Sequence, residues 1–141
     1  MSLVNHVGLT VSDLEASVAF YVDVVGMELQ VRTTSGGEWF DTLTRNHGAV
    51  IDVAMLRSPG VVLQLVHYTH GGAAPVATGH NRAGNVHLCI NVDDVDTRRD
   101  AVVAAGLDAT PIVALPPPGM RSFYTSDPDG VPVEFLQASR P

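Results

Sequence analysis

Two histidines, a glutamine and a glutamate stand at matching places in the two halves of this 141-residue chain, and together they could hold a divalent metal ion. Asn5-His6-Val7-Gly8-Leu9-Thr10-Val11 opens the first half, and Val86-His87-Leu88-Cys89-Ile90-Asn91-Val92 opens the second. Late in each half a glycine leads an apolar run broken by one polar residue. These runs are Gly60-Val61-Val62-Leu63-Gln64-Leu65-Val66 and Gly130-Val131-Pro132-Val133-Glu134-Phe135-Leu136. Core packing alone gives no reason to repeat a histidine and a polar side chain in this order. Two imidazole nitrogens, an amide oxygen and a carboxylate oxygen suit a borderline divalent ion. With two positions left for solvent or substrate, the set admits Ni, Co, Mn, Fe or an expanded Zn.

Such a site needs strands of matching parity. Residues 3–11 read as a strand with Leu3, Asn5, Val7, Leu9 and Val11 on one face and His6, Gly8 and Thr10 on the other. Ser12-Asp13-Leu14-Glu15 spells a capping box with Ser12 as N-cap, and the helix it starts stops at Gly26. A strand over 27–33, a long loop over 35–47 that admits a short helical turn, and strands over 49–56 and 61–68 complete the first half. Residues 70–83 read as a linker. The second half repeats the order. A strand spans 85–92, a helix runs from Asp93 or Asp94 to about Ala105, and a strand lies near 108–114. After the Pro116-Pro117-Pro118-Gly119 break come strands over 120–126 and 131–137 around Asp127-Pro128-Asp129-Gly130. Each half is β-α-β-β-β, and the expectation is a single domain over 1–141 built from modules of approximately 1–69 and 84–141. The expected fold is α+β, with two tandem modules forming a curved mixed sheet around a central cavity. His6, Gln64, His87 and Glu134 all fall on the face away from the helices.

The remaining candidates have plainer readings. His47, His67, His70 and His80 have no repeat partner and read as solvated or strand-end histidines, with His67 on the helix side by parity. Trp39, Phe40 and Met55 read as core or cavity wall. Arg32 and Arg121 read as surface residues, with contact to an acidic substrate as the alternative. Cys89 shares the face of His87, with nothing nearby to mark it as a nucleophile.

Net charge is −7, and only 8 residues are Lys or Arg, so a phosphate-tracking surface and a nucleic-acid partner are excluded. No apolar run approaches the ~20 residues of a membrane span, and no signal peptide precedes His6. A lone cysteine fits a reducing compartment. The expectation is a cytoplasmic protein that meets neither membrane nor nucleic acid.

The Asn5–Leu14 opening, Ala19-Phe20-Tyr21 in the helix, and Asp127-Pro128-Asp129-Gly130 followed by Glu134 resemble the glyoxalase/vicinal oxygen chelate superfamily, and the likeness covers nearly the whole chain. The resemblance implies a divalent metal at His6, Gln64, His87 and Glu134 that chelates adjacent oxygens of a small substrate, and it implies a homodimer. The set is similar to that of methylmalonyl-CoA epimerases; bacterial glyoxalase I more often has Glu where Gln64 stands. Extradiol dioxygenases of the superfamily use a triad matching His6, His87 and Glu134. Bleomycin-binding members keep the fold without the metal residues.

The favoured expectation is a metal-dependent isomerase or lyase that moves a proton alpha to a carbonyl, with Glu134 as catalytic proton carrier. Gln64 cannot act as a second base. Glu38, Asp41 and His47 are the candidates for any further acid. The alternatives are an Fe(II) extradiol-type ring-cleaving dioxygenase and a non-catalytic protein that binds a small molecule such as an antibiotic.

Overall fold

The computed structural model describes residues 1–116 and 118–138. Pro117, within the break after the sixth strand, lies outside them. The chain forms two compact units, Met1–Val76 and Ala77–Pro141. Each is a four-stranded mixed sheet; the second unit runs β-α-β-β-β, and the first adds one helix between its second and third strands.

In the first unit β1 (Val7–Thr10) leads to α1 (Leu14–Ala19), which continues as a wider π-wound turn over Phe20–Val25. Asp13, not Ser12, caps α1. Its backbone is extended, and its carboxylate accepts from the Ala16 amide at 3.0 Å. A carboxylate there satisfies an orphan N–H and also offsets the positive end of the helix. Gly26, at φ 89°, ends the helical segment in the left-handed conformation that glycine adopts without strain. β2 (Glu28–Gly36), α2 (Glu38–Thr44), β3 (Val50–Ser58) and β4 (Val61–His70) follow. The strand order is β1-β4-β3-β2, with β1 parallel to β4 and the other pairs antiparallel.

Parity divides this sheet. Leu9, Ala54, Leu56, Leu63 and Leu65 are buried on the face toward α1, whose helical segment buries Val18, Tyr21 and Val25. The opposite face carries a second apolar cluster in which Phe40 of α2 packs with Ala49, Ile51 and Val53, and with Met55, Val66 and Tyr68 at its edge. Segment 35–47, expected to be a long loop with room for a short helical turn, is therefore the end of β2 and a seven-residue helix. The apolar ring of Phe40 gives α2 a surface to bury against, which overrides the turn-rich spelling around it. Trp39 remains exposed, while Phe40 is core.

The second unit runs β5 (Leu88–Asn91), α3 (Val95–Ala104), β6 (Val113–Leu115), β7 (Met120–Ser126) and β8 (Pro132–Gln137), in the order β5-β8-β7-β6 with β5 parallel to β8. Asp94 caps α3, accepting from Asp96 and Thr97. Val95 and Val102 of the helix are buried along with Phe123, Val133 and Phe135, and the two phenylalanine rings stack 5.2 Å apart. β6 is shorter than expected, because Pro111 has no N–H for the ladder. Thr125 Oγ1 instead donates to the Asp108 carbonyl at 2.6 Å, tying that stretch to β7.

The β7–β8 turn sets where Glu134 stands. Buried Asp127 accepts from the Asp129 and Val131 amides at 2.9 and 2.8 Å, and Gly130 sits at φ 82°. A Cβ on Gly130 would lie 2.7 Å from Thr78 Oγ1. Gly130→Ala should therefore lower stability by ~1–3 kcal/mol through backbone strain and the clash. Thermal unfolding of wild type and variant measures this, and an unchanged midpoint would contradict the account.

Candidate metal centre

His6 and His87 each lie one residue before the first strand of their unit, because paired hydrogen bonding starts only at Val7 and Leu88. The two parallel ladders share one register. Gly8 pairs with Gln64 on β4, and Cys89 pairs with Glu134 on β8. Each histidine thus precedes, by two residues, the position facing the polar side chain of the neighbouring strand. Parity places Gln64 and Glu134 on the sheet face away from α1 or α3, and continuing each register by one residue sets His6 and His87 on the same side.

In the first unit the Gln64 amide oxygen lies over Gly8, 3.6 Å from where a Cβ would stand. His6 is exposed, and its Nδ1 is 2.7 Å from Asn5 Oδ1. It also lines a cleft of about 250 Å³ with Asn5, Arg57, Ser58 and Val62.

In the second unit the pair is closer. His87 Nε2 lies 3.9 Å from Glu134 Oε2. That is too long for a hydrogen bond, yet two donors at ~2.0–2.2 Å from one ion can stand this far apart. The Glu134 side chain is only 13% exposed. Burial pushes its pKa up, but hydrogen bonds from Ser122, Tyr124 and Cys89, together with the nearby His87, outweigh that and hold it below the ordinary glutamate value. The Tyr124 hydroxyl donates to Oε2 at 2.9 Å. The neighbours bear the reciprocal cost. Burial, then its bond to Glu134 and the carboxylate charge, pushes the Tyr124 hydroxyl up to about 12. Burial and the same charge push the Cys89 thiol up to about 11, so Cys89 is a weak donor and not a nucleophile. A preformed, ionised carboxylate next to an imidazole suits a divalent cation.

Tyr124 and Ser122 are missing from the candidates that the sequence suggests. A signal for Tyr124 exists, since a hairpin closing around Asp127–Gly130 pairs Tyr124 with Glu134. His80 is not merely a solvated loop residue. Its ring meets Tyr124 edge-on at 4.6 Å and lies 6.5 Å from that of His87. His67 is also engaged, with Nδ1 3.1 Å from the Val11 carbonyl. Arg32 and Arg121 are paired with Glu15 and Asp96. Asp41 holds the Gly48 amide, with His47 Nδ1 3.6 Å away, while Glu38 is exposed. Among the described residues, no three His, Cys, Asp or Glu side chains form a metal-ligating group within this arrangement.

The profile of the glyoxalase/bleomycin resistance protein/dioxygenase superfamily matches residues 3–135. The chain belongs to that superfamily. A probable lactoylglutathione lyase from Vibrio parahaemolyticus is 31% identical over 133 residues, covering 94% of this chain and 88% of that protein. A 2-epi-5-epi-valiolone epimerase from an Actinomyces species is 31% identical over 142 residues, covering 94% and 78%. A glyoxalase-family structure from Bacillus cereus shares the fold at a TM-score of 0.82 and 19% identity, covering 97% and 94% of the two chains. Glyoxalase-superfamily relatives of this chain are thus named as lyases and epimerases. Among the described residues, no helix is long and apolar enough to cross a membrane.

Removing the Tyr124 hydroxyl leaves burial of Glu134 with fewer opposing donors. Tyr124→Phe should therefore raise the Glu134 pKa from its depressed value, as read by carbon-13 NMR titration of that carboxyl. The depressed folded value contributes stability that is present above the unfolded pKa and lost as pH falls through the folded one. The variant should accordingly lose less stability on acidification than the wild type. An unshifted titration would show that the hydroxyl does not hold the carboxylate.

Proposed function

We propose that this glyoxalase-superfamily chain is a divalent-metal-dependent isomerase or lyase that moves a proton alpha to a carbonyl. His6, Gln64, His87 and Glu134 are the ligand set, with modules 1–69 and 84–141 acting as one domain. The observation that carries the reading is the ionised, largely buried Glu134 with an imidazole nitrogen 3.9 Å from its carboxylate. The shared ladder register supports the same role for His6 and Gln64. When bound, the ion supplies Lewis acidity toward two adjacent oxygens of a small substrate.

The protein's own groups then divide the work. Glu134 accepts the proton from the carbon beside the carbonyl as the C–H pair moves toward the carbonyl oxygen, and returns it to complete the isomerisation. Tyr124 steadies the carboxylate by donating to Oε2. Gln64 ligates only, since a primary amide cannot accept that proton.

Glu134→Gln should weaken metal binding modestly and reduce proton exchange by the ~10²–10⁴-fold typical of a positioned base. The assay follows exchange of solvent deuterium into 2-oxo or 2-hydroxycarbonyl compounds, with metal content measured on the same samples. Wild-type exchange in a metal-loaded Glu134→Gln variant would assign the proton to another group. Elemental analysis of protein purified without chelator tests the ion itself. Nickel, cobalt, zinc or manganese supports the isomerase or lyase reading, iron with catechol cleavage replaces it with dioxygenase chemistry, and no metal replaces it with a binding protein. The sheet edges at β2 and β6 should be covered in a homodimer. Sedimentation giving only monomer at micromolar concentration would refute that assembly.

A further inference from the structure

We propose that Arg57 binds an anionic tail of the substrate, which makes the substrate class a short 2-oxo or 2-hydroxy compound with a second, distal carboxylate or phosphate. The proposal rests on the metal-chelating reading of His6 and Gln64, and adds what lies beside them. Arg57 pairs with Val62 across the β3–β4 hairpin, two residues along from the Met55–Gln64 pair, so its side chain shares the face of Gln64. Continuing the β1–β4 register by one residue sets His6 against Val62. Arg57, Val62 and His6 thus form a row across β3, β4 and the residue leading into β1, and all three line the 250 Å³ cleft with Asn5 and Ser58. Two strand spacings separate the ends of that row by roughly 10 Å. A chain of a few carbons spans such a gap between a chelated end and a guanidinium.

Charge points the same way. The chain carries −7 overall, so an anionic ligand needs a local cation. Arg32 and Arg121 are already committed to Glu15 and Asp96, and Arg99 donates to the Thr110 carbonyl. Arg57 makes no ion pair or hydrogen bond among the described residues, even though Glu28 is its cross-strand partner. An unpaired planar fork of donors in a cleft matches a carboxylate or phosphate bidentately, and Asn5 and Ser58 add neutral polar groups nearby.

The test titrates nickel-loaded and metal-free full-length protein with three probes by calorimetry. 2-Oxoglutarate carries a distal carboxylate, 3-phosphohydroxypyruvate a distal phosphate, and 2-oxohexanoate an uncharged tail. Wild-type protein should bind one or both anionic-tailed probes ~10–100-fold more tightly than 2-oxohexanoate, the worth of a charge-assisted contact. The better of the two identifies the tail. Arg57→Met should erase the preference and Arg57→Lys keep part of it, with unfolding midpoints unchanged at this exposed position. A wild type that binds none of the probes, or binds all three equally, overturns the proposal, as does an Arg57→Met variant that still discriminates. If the protein takes up no metal but discrimination still follows Arg57, the chelating reading fails and the anion site stands. If metal binds without discrimination, only the anion site fails.

Discussion

A parallel ladder joins the first and last strands of each unit, β1 to β4 and β5 to β8, and the remaining geometry depends on it. Strands that run the same way cannot be joined by a tight turn, so the chain must cross over. Here α1 or α3 starts the return and buries one face of the sheet, and the next two strands bring the chain back beside the first. That leaves the other face for chemistry. It also fixes Gln64 opposite Gly8 and Glu134 opposite Cys89, so slipping either ladder by one residue would turn its polar side chain into the core.

The same framework is put to different use in the two units. Opposite Gln64 stands Gly8, with no side chain, and α2 covers part of that face through Phe40. Opposite Glu134 stands Cys89, with Tyr124 on the other flank, and both side chains supply donors. The difference follows from the charge of the residue each must accommodate. A neutral amide needs little help when half-buried, whereas a carboxylate shielded from water must recover its lost hydration from nearby hydrogen bonds. Tyr124, Ser122 and Cys89 do this for Glu134, and the raised values of Tyr124 and Cys89 are the counterpart of its lowered one.

The cations of the chain are sorted by a similar logic. Glu15 and Asp96 occupy the same position in the first turns of α1 and α3, and each takes an arginine from a strand below, Arg32 or Arg121. These pairs are exposed and contribute little to stability. Their consequence is that neither arginine is available to a ligand, whereas Arg57 lines a cleft beside His6.

Much of this was legible in the sequence because it depends on short-range periodicity. The alternation around His6, Gln64, His87 and Glu134 gave their faces, Gly26 gave a helix end, and the Asp127–Gly130 turn gave the last hairpin. Residues 35–47 read as a loop with no more than a hint of helix because their turn-forming spelling is local, while the burial of Phe40 against Ile51 and Val53 is not. Tyr124 and Ser122 are absent from the sequence candidates, and His80 reads there only as a solvated histidine, for a related reason. None has a repeat partner, and each matters through a neighbour distant in sequence or across a strand pair. The sequence by itself determined the β-α-β-β-β order common to both halves, the repeat of His6 and Gln64 as His87 and Glu134, and the faces of Gln64 and Glu134, since these rest on local repetition and on the pitch of strands and helices. Only the tertiary structure decided that Glu134 is held ionised by three donors, that His80 rests against Tyr124, and that Arg57 has no partner among the described residues. Those outcomes depend on distances between side chains brought together by pairing and packing, and no one-dimensional spacing encodes them.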